Sequence, residues 1–283
     1  MRNFSLIFIL LVGAFITNAQ SIQYKVLEDN PDKAYTKFVA PEIGFEYNSE
    51  NISVSLGANA RYGISEVLTL EGAAKYDVFQ LNGTGAAYHF EAGAFFPLTS
   101  TVKNKEVPIV LSYNPYAGRK YENGKEYNIE ETKYIKVPSG QYKRKLGVRG
   151  GIYNRSTGIE NVTETISTNI FLMGVYIGGQ LTNQAYVKTL VNNDVERIGA
   201  GFGRIYGDII LFPVSNLGDE SLTDIPKSDG AFGWRVGYQW YVSPHDGEYR
   251  FLGPSVFSAE IGSRPLSGFM FNVTWGLAIM NSR

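Results

Sequence analysis

The 283-residue chain has no cysteine, only two histidines and few charges: 19% of its residues are ionisable Asp, Glu, Lys or Arg, with 26 basic against 27 acidic. The missing cysteine excludes disulfide scaffolds, thiolate metal sites and a lipid anchor on a cysteine. The cancelled charge excludes the broad basic footprint of nonspecific nucleic-acid binding, so no nucleic-acid partner is expected. Beyond the first twenty residues, no apolar run is long enough to cross a bilayer as a helix. A mature chain that enters a membrane must therefore do so as a closed barrel, because an open sheet leaves backbone groups unpaired in hydrocarbon. What the chain has in excess is glycine, 31 of 283 residues against a usual ~7%, together with 19 Tyr and 17 Phe.

The first nineteen residues read as a signal peptide. Arg2 gives a positive start, Leu6 to Ile16 is apolar, and Thr17-Asn18-Ala19 puts small residues where a signal peptidase cuts. The run is little more than half the roughly 20 residues a transmembrane helix needs. Residues 20–40 form an N-terminal segment expected in the periplasm, and 41–283 a single barrel domain.

From residue 41 the apolar residues recur with period two, over segments longer than a soluble strand's usual five or six residues. Ile52, Val54, Leu56, Ala58, Ala60 and Tyr62 share one face, and Ser53, Ser55, Gly57, Asn59, Arg61 and Gly63 the other. Leu68 to Val78, Tyr88 to Phe96, Phe232 to Trp240 and Phe271 to Ile279 repeat the pattern. Asn82-Gly83 and Asn123-Gly124 are hairpin signals, and Pro138-Ser139-Gly140 reads as another reversal. The fold predicted is all-β, an antiparallel transmembrane barrel of twelve strands at about 41–48, 51–63, 66–79, 86–97, 107–121, 126–137, 141–154, 169–182, 197–212, 231–242, 251–263 and 268–280. The charge-rich 126–137 and the Pro108-bearing 107–121 are the weakest pair; without them the count is ten. Connections are expected at about 155–168, 183–196 and the acidic 213–230.

A soluble sandwich also alternates. Three features favour a membrane barrel. Strands of about twelve residues match a tilted crossing of 9–11. Aromatics gather at segment ends, as in interfacial girdles: Tyr62, Tyr76, Phe79, Tyr88, Phe96, Tyr113, Tyr153 and Trp240. The polar faces also mix full charges with glycines, as a narrow interior needs small residues to admit large ones. The exported leader, the long alternating strands and the phrases Gly233-Trp-Arg-Val-Gly-Tyr-Gln-Trp240 and Phe269-Met-Phe-Asn-Val-Thr-Trp-Gly-Leu277 resemble outer-membrane β-barrel proteins of Gram-negative bacteria. The resemblance implies the cell outer membrane as location and outer-membrane lipid as surroundings, and it specifies no subfamily. The chain departs from that class in ending Met280-Asn-Ser-Arg283, without a closing aromatic.

Phase places Arg61, Lys75, Lys145, Arg149, Arg204 and Arg235 inside, with Glu71, Asp77, Glu91, Asp208, Glu260 and His89. The signs nearly cancel, which suits mutual pairing across a filled or very narrow lumen better than an ion-selective ring. The functions expected are a porin-like narrow passive channel for small polar solutes, or a structural or accessory subunit of an envelope complex alongside another envelope protein. A soluble secreted all-β binding module is the alternative outside the membrane. Barrels of the resembled class include lipid-modifying enzymes, which need a nucleophile and base or a metal-bound water. Here only His89, beside Glu91, and His245, in a Ser-Pro-His-Asp-Gly turn, are available, so no enzyme activity is expected. Asp246-Gly-Glu248 is too short for a calcium loop, and Gly199-Ala-Gly-Phe-Gly-Arg204 opens a strand rather than a helix, so neither a metal nor a cofactor is expected.

Overall fold

A computed structural model describes residues 22–34, 37–49, 51–81, 87–161, 166–217, 231–242 and 255–280. The leader, Asn82-Gly83, most of the acidic connection and the His245 turn lie outside these residues. The strands are β1 (Tyr24–Asp29), β2 (Lys37–Asn48), β3 (Ile52–Ser65), β4 (Leu68–Gln80), β5 (Tyr88–Glu122), β6 (Lys125–Asn161), β7 (Ile166–Val191), β8 (Val195–Leu217), β9 (Phe232–Val242), β10 (Ser255–Arg264), β11 (Gly268–Leu277) and β12 (Ile279–Met280).

Each of β2 through β11 pairs with its sequence neighbours, and β11 returns to β2 through Met270 opposite Asn48 down to Gly276 opposite Glu42, closing an antiparallel ring of ten. The segments predicted at 107–121 and 126–137 are not separate staves. They are the outer halves of β5 and β6, which run on for 35 and 37 residues as one hairpin closed by Asn123 (φ 52°) and Gly124 (φ 74°). Pro138-Ser139-Gly140 is likewise no reversal, since β6 continues through it where the hairpin leaves the ring. Most of the expected connections 155–168 and 183–196 are strand as well, and only three residues, 192–194, turn β7 into β8.

The alternation fixes which way each strand faces. Outward positions such as Ile43, Leu56, Leu70, Phe90, Val148, Ile177, Ile209, Trp234 and Phe271 are substantially exposed and form an apolar belt around the ring. Tyr62, Tyr76, Phe79, Tyr88 and Phe96 also face outward, as girdle residues would. Tyr153, predicted among them, is fully buried in the interior, and Tyr113 lies on the projecting hairpin.

The first and last described strands, β1 and β12, lie at one end of the ring, and so does the long hairpin. Its base packs Val107, Ile109, Ile135 and Val137 over Ala185, Val187 and Val191 of β7. β6 swings away from β7 beyond Tyr142, so β7 is left an open edge at Val187–Val191, and β1 takes that edge as an added strand. Beyond the apolar base the hairpin is a two-stranded ribbon exposed on both faces, Ser112–Glu122 giving a contour of roughly 35 Å at about 3.3 Å per residue.

Candidate functional site: the interior of the barrel

Inward side chains fill the ring in layers. At mid-height, Arg235 of β9 lies 2.6 and 2.7 Å from the two carboxylate oxygens of Glu91 on β5, 2.7 Å from Asp208 on β8 and 3.4 Å from Glu260 on β10. Arg149 of β6 donates to the same Glu91 at 2.9 Å and stands 3.7 Å from Asp208. Glu71 of β4 takes Arg204 at 2.5 Å and Gln180 at 3.0 Å, with Arg61 at 3.7 Å and Arg149 at 3.9 Å. The guanidinium groups also stack on rings: Arg149 is 4.1 Å from the Tyr206 centroid, and Arg235 is 4.8 Å from that of Tyr176.

Nearer the end opposite the termini, Glu46 is shared by Arg155 at 2.9 Å and Arg264 at 2.8 Å, and Arg155 also reaches Asp77 at 3.2 Å. Lys75 pairs with Glu42 at 3.3 Å. Beside these layers, on β6, β7 and β8, Tyr153, Ile170, Leu172, Tyr176, Ile210 and Phe212 make an apolar cluster; toward the termini Ala34, Phe38, Ala40, Phe202, Tyr241, Val256 and Ala278 make another. Between them a polar cavity of about 40 Å³ remains among Glu71, Lys75, His89, Arg149, Tyr206 and Gln239, room for a few waters.

Glycine makes this packing possible. Tyr206, Gly237 and Glu260 sit side by side on β8, β9 and β10, and the Tyr206 ring lies across Gly237 to donate to Glu260 at 2.8 Å. Gly93 and Gly151 make the same room for the Tyr176 hydroxyl.

All twelve predicted lumen residues point inward, and nine of them, Arg61, Glu71, Lys75, His89, Glu91, Arg149, Arg204, Asp208 and Glu260, join Arg235 in or beside the mid-height network. Asp77 stands apart in the Glu46 layer. Lys145 lies at the terminus-side mouth, 3.2 Å from Asp32. The sequence reading missed Glu42, Glu46, Asp32, Lys143, Arg155 and Arg264. Glu42 and Glu46 alternate with Ile43, Phe45 and Tyr47, so their phase was available; Arg155 and Arg264 fell one residue beyond the expected strand ends. The two ring nitrogens of His89 have no hydrogen-bond partner among the described residues, and Nε2 is 3.8 Å from Glu91; no nucleophile and base are paired there.

Asp32, in a single helical turn at Pro31–Lys33, fastens the N-terminal segment across the mouth. It accepts from Lys143 at 2.5 Å and from Gln184 at 3.2 Å. Burial pushes its carboxyl up, but the hydrogen bond from Lys143 and the charge of Lys145 outweigh this and hold it below its ordinary 3.8. With the folded value depressed, the latch contributes above the unfolded value and is lost as pH falls through the folded one. Asp32→Asn is therefore expected to speed amide exchange in Tyr24–Asp29 severalfold at neutral pH, while the wild type loosens there only in strong acid. Unchanged exchange in the variant would show that β1 is held by its ladder alone.

No family model matches the chain, and no curated protein matches it. Among solved structures it is similar to OprB of Pseudomonas putida, 7% identical over 88% of this chain and 93% of that one, with a TM-score of 0.19. It is similar also to the outer membrane protein OprD from Pseudomonas aeruginosa, 6% identical over 92% and 98%, TM-score 0.19. OmpT, an outer membrane protein of Vibrio cholerae, is 10% identical over 90% and 100%, TM-score 0.18. Likeness this slight carries no argument, and the barrel rests on its own strand pairing.

Proposed function

We propose that this chain is an integral outer-membrane barrel that conducts nothing and serves as a structural or accessory subunit of an envelope complex, holding the β5–β6 ribbon on the side of the chain termini. The observation that carries this reading is the lumen itself: ion pairs link strands on opposite sides of it, and two apolar clusters pack against them. A channel needs a continuous wet path, with one sign of charge at its constriction where it selects ions. Here each guanidinium in the centre lies within 4 Å of a carboxylate, and the cavity of about 40 Å³ among them is small for a passing solute. The apolar belt supports placement in lipid, because exposed Ile, Val, Leu and Trp on every stave would cost a soluble protein its solubility. The ribbon supports the accessory role, since two strands exposed on both faces are marginal alone and gain order from a partner.

Purified, refolded protein in planar bilayers is expected to give no conductance steps. Regular steps of one size would overturn the non-conducting reading. The membrane reading has its own test: unboiled protein should keep a shifted electrophoretic mobility in detergent, and recovery from the periplasm without detergent would overturn it. Stoichiometric co-purification of an envelope protein that is lost when 112–134 is replaced by a short turn would support the accessory role.

A further inference from the structure

Where the hairpin leaves the ring, the outer wall carries a pocket of about 270 Å³ lined by Lys103, Lys105, Tyr142, Arg144 and Asn183. Strand pairing puts these on one face: Lys103 is opposite Tyr142, and Arg144 opposite Asn183. Lys105 extends over the Tyr142 ring, 4.8 Å from its centroid. Among the described residues none of the three cations has a carboxylate within salt-bridge distance. The acidic groups nearby are engaged elsewhere, Glu106 by Lys136 at 2.6 Å and Asp29 by the Gln141 amide at 2.9 Å. Lys143 and Lys145, alternating with Arg144, turn to the opposite face and hold Asp32. All three are exposed on the outer wall, and three unpaired cations converging on one pocket attract an anion.

Their height on the wall says which. Arg144, Leu146 and Val148 follow one another on the outer face of β6, beside Phe96 of β5; all four are exposed, and all but Arg144 are apolar. The surface passes from oily to basic in one residue pair, roughly 7 Å, the distance over which acyl chains give way to headgroups. From this we infer that the pocket binds the phosphate of an anionic phospholipid in the leaflet on the side of the chain termini, with Lys103, Lys105 and Arg144 on the phosphate oxygens, the Tyr142 and Asn183 polar groups beside them, and the acyl chains along Phe96, Leu146 and Val148. The inference rests on the membrane-barrel reading above.

Native mass spectrometry of detergent-purified protein, titrated with phosphatidylglycerol or with phosphatidylcholine of the same acyl chains, tests it. Three interfacial cations should favour the anionic lipid roughly tenfold to a hundredfold, less at high salt. The triple variant Lys103→Gln, Lys105→Gln, Arg144→Gln should lose that preference. Lys120→Gln, Lys125→Gln, Lys133→Gln, which removes the same charge from the exposed ribbon, should keep it. Equal preference in both variants overturns the site. Displacement of the lipid by millimolar inorganic phosphate overturns the lipid assignment in favour of a soluble phosphate ligand. The heat-dependent mobility of each variant shows whether it has folded, so loss of the site is distinguished from loss of the barrel.

Discussion

Arg235→Met is expected to cost about 3–5 kcal/mol of unfolding free energy, measured by denaturant titration in detergent with the electrophoretic shift as readout. The reason lies in what stays behind. Arg235 is 1% exposed and meets Glu91, Asp208 and Glu260 at once. Without it Glu91 and Asp208 share Arg149, which already reaches toward Glu71, Glu260 keeps only the Tyr206 hydroxyl among the described residues, and an uncompensated charge is buried. Removing charge from both sides should cost less: Arg235→Met with Glu91→Gln is expected to recover at least 1 kcal/mol of the single variant's loss, because a buried pair is worth less than its broken half costs. A single variant within about 0.5 kcal/mol of wild type would mean that water reaches the centre and that the lumen is wetter than the packed layers imply.

The same layers explain what could be read in the sequence. Period two follows from strand geometry alone, so the inward or outward sense of Arg61, Glu71, Glu91, Arg204 and Arg235 was legible without coordinates. Which carboxylate meets which guanidinium was not. That depends on relative strand heights, and Arg235 reaches Glu91 from 144 residues away because ring closure brings β9 and β5 to face each other. The ribbon was misread for a related reason. Alternation in 107–121 and 126–137 continues past the ring, and period two is the same whether the outward face meets lipid or the apolar base on β7. The excess charge of 126–137 was the available sign that it does not cross a bilayer. Pro138-Ser139-Gly140 has turn composition, yet Gly140 is there because Val107 and Val187 press against it where β6 bends. Glycine at a bend and glycine at a reversal look alike in one dimension.

Gly237→Val should be the most damaging substitution on the inner wall that changes no charge. A Cβ at Gly237 would fall within the Tyr206 ring, against Cζ and the hydroxyl, and that ring cannot swing away without giving up its 2.8 Å hydrogen bond to Glu260 and its stacking on Arg149. Overpacking alone costs about 1–3 kcal/mol, and the lost hydrogen bond to a charged group adds about 1.5–3. The variant is therefore expected to refold poorly and to show little heat-shifted species. Gly179→Val is the matched control: it faces outward, where an added Cβ meets nothing within 4 Å, and should refold as wild type. A double-mutant cycle makes the cause specific. If Tyr206 is the obstacle, Tyr206→Ala should restore folding to Gly237→Val even though alone it leaves a cavity and takes a hydrogen bond from Glu260. Additive losses would instead place the damage in the backbone of β9, and glycine's role in admitting large side chains to this narrow interior would have to be abandoned.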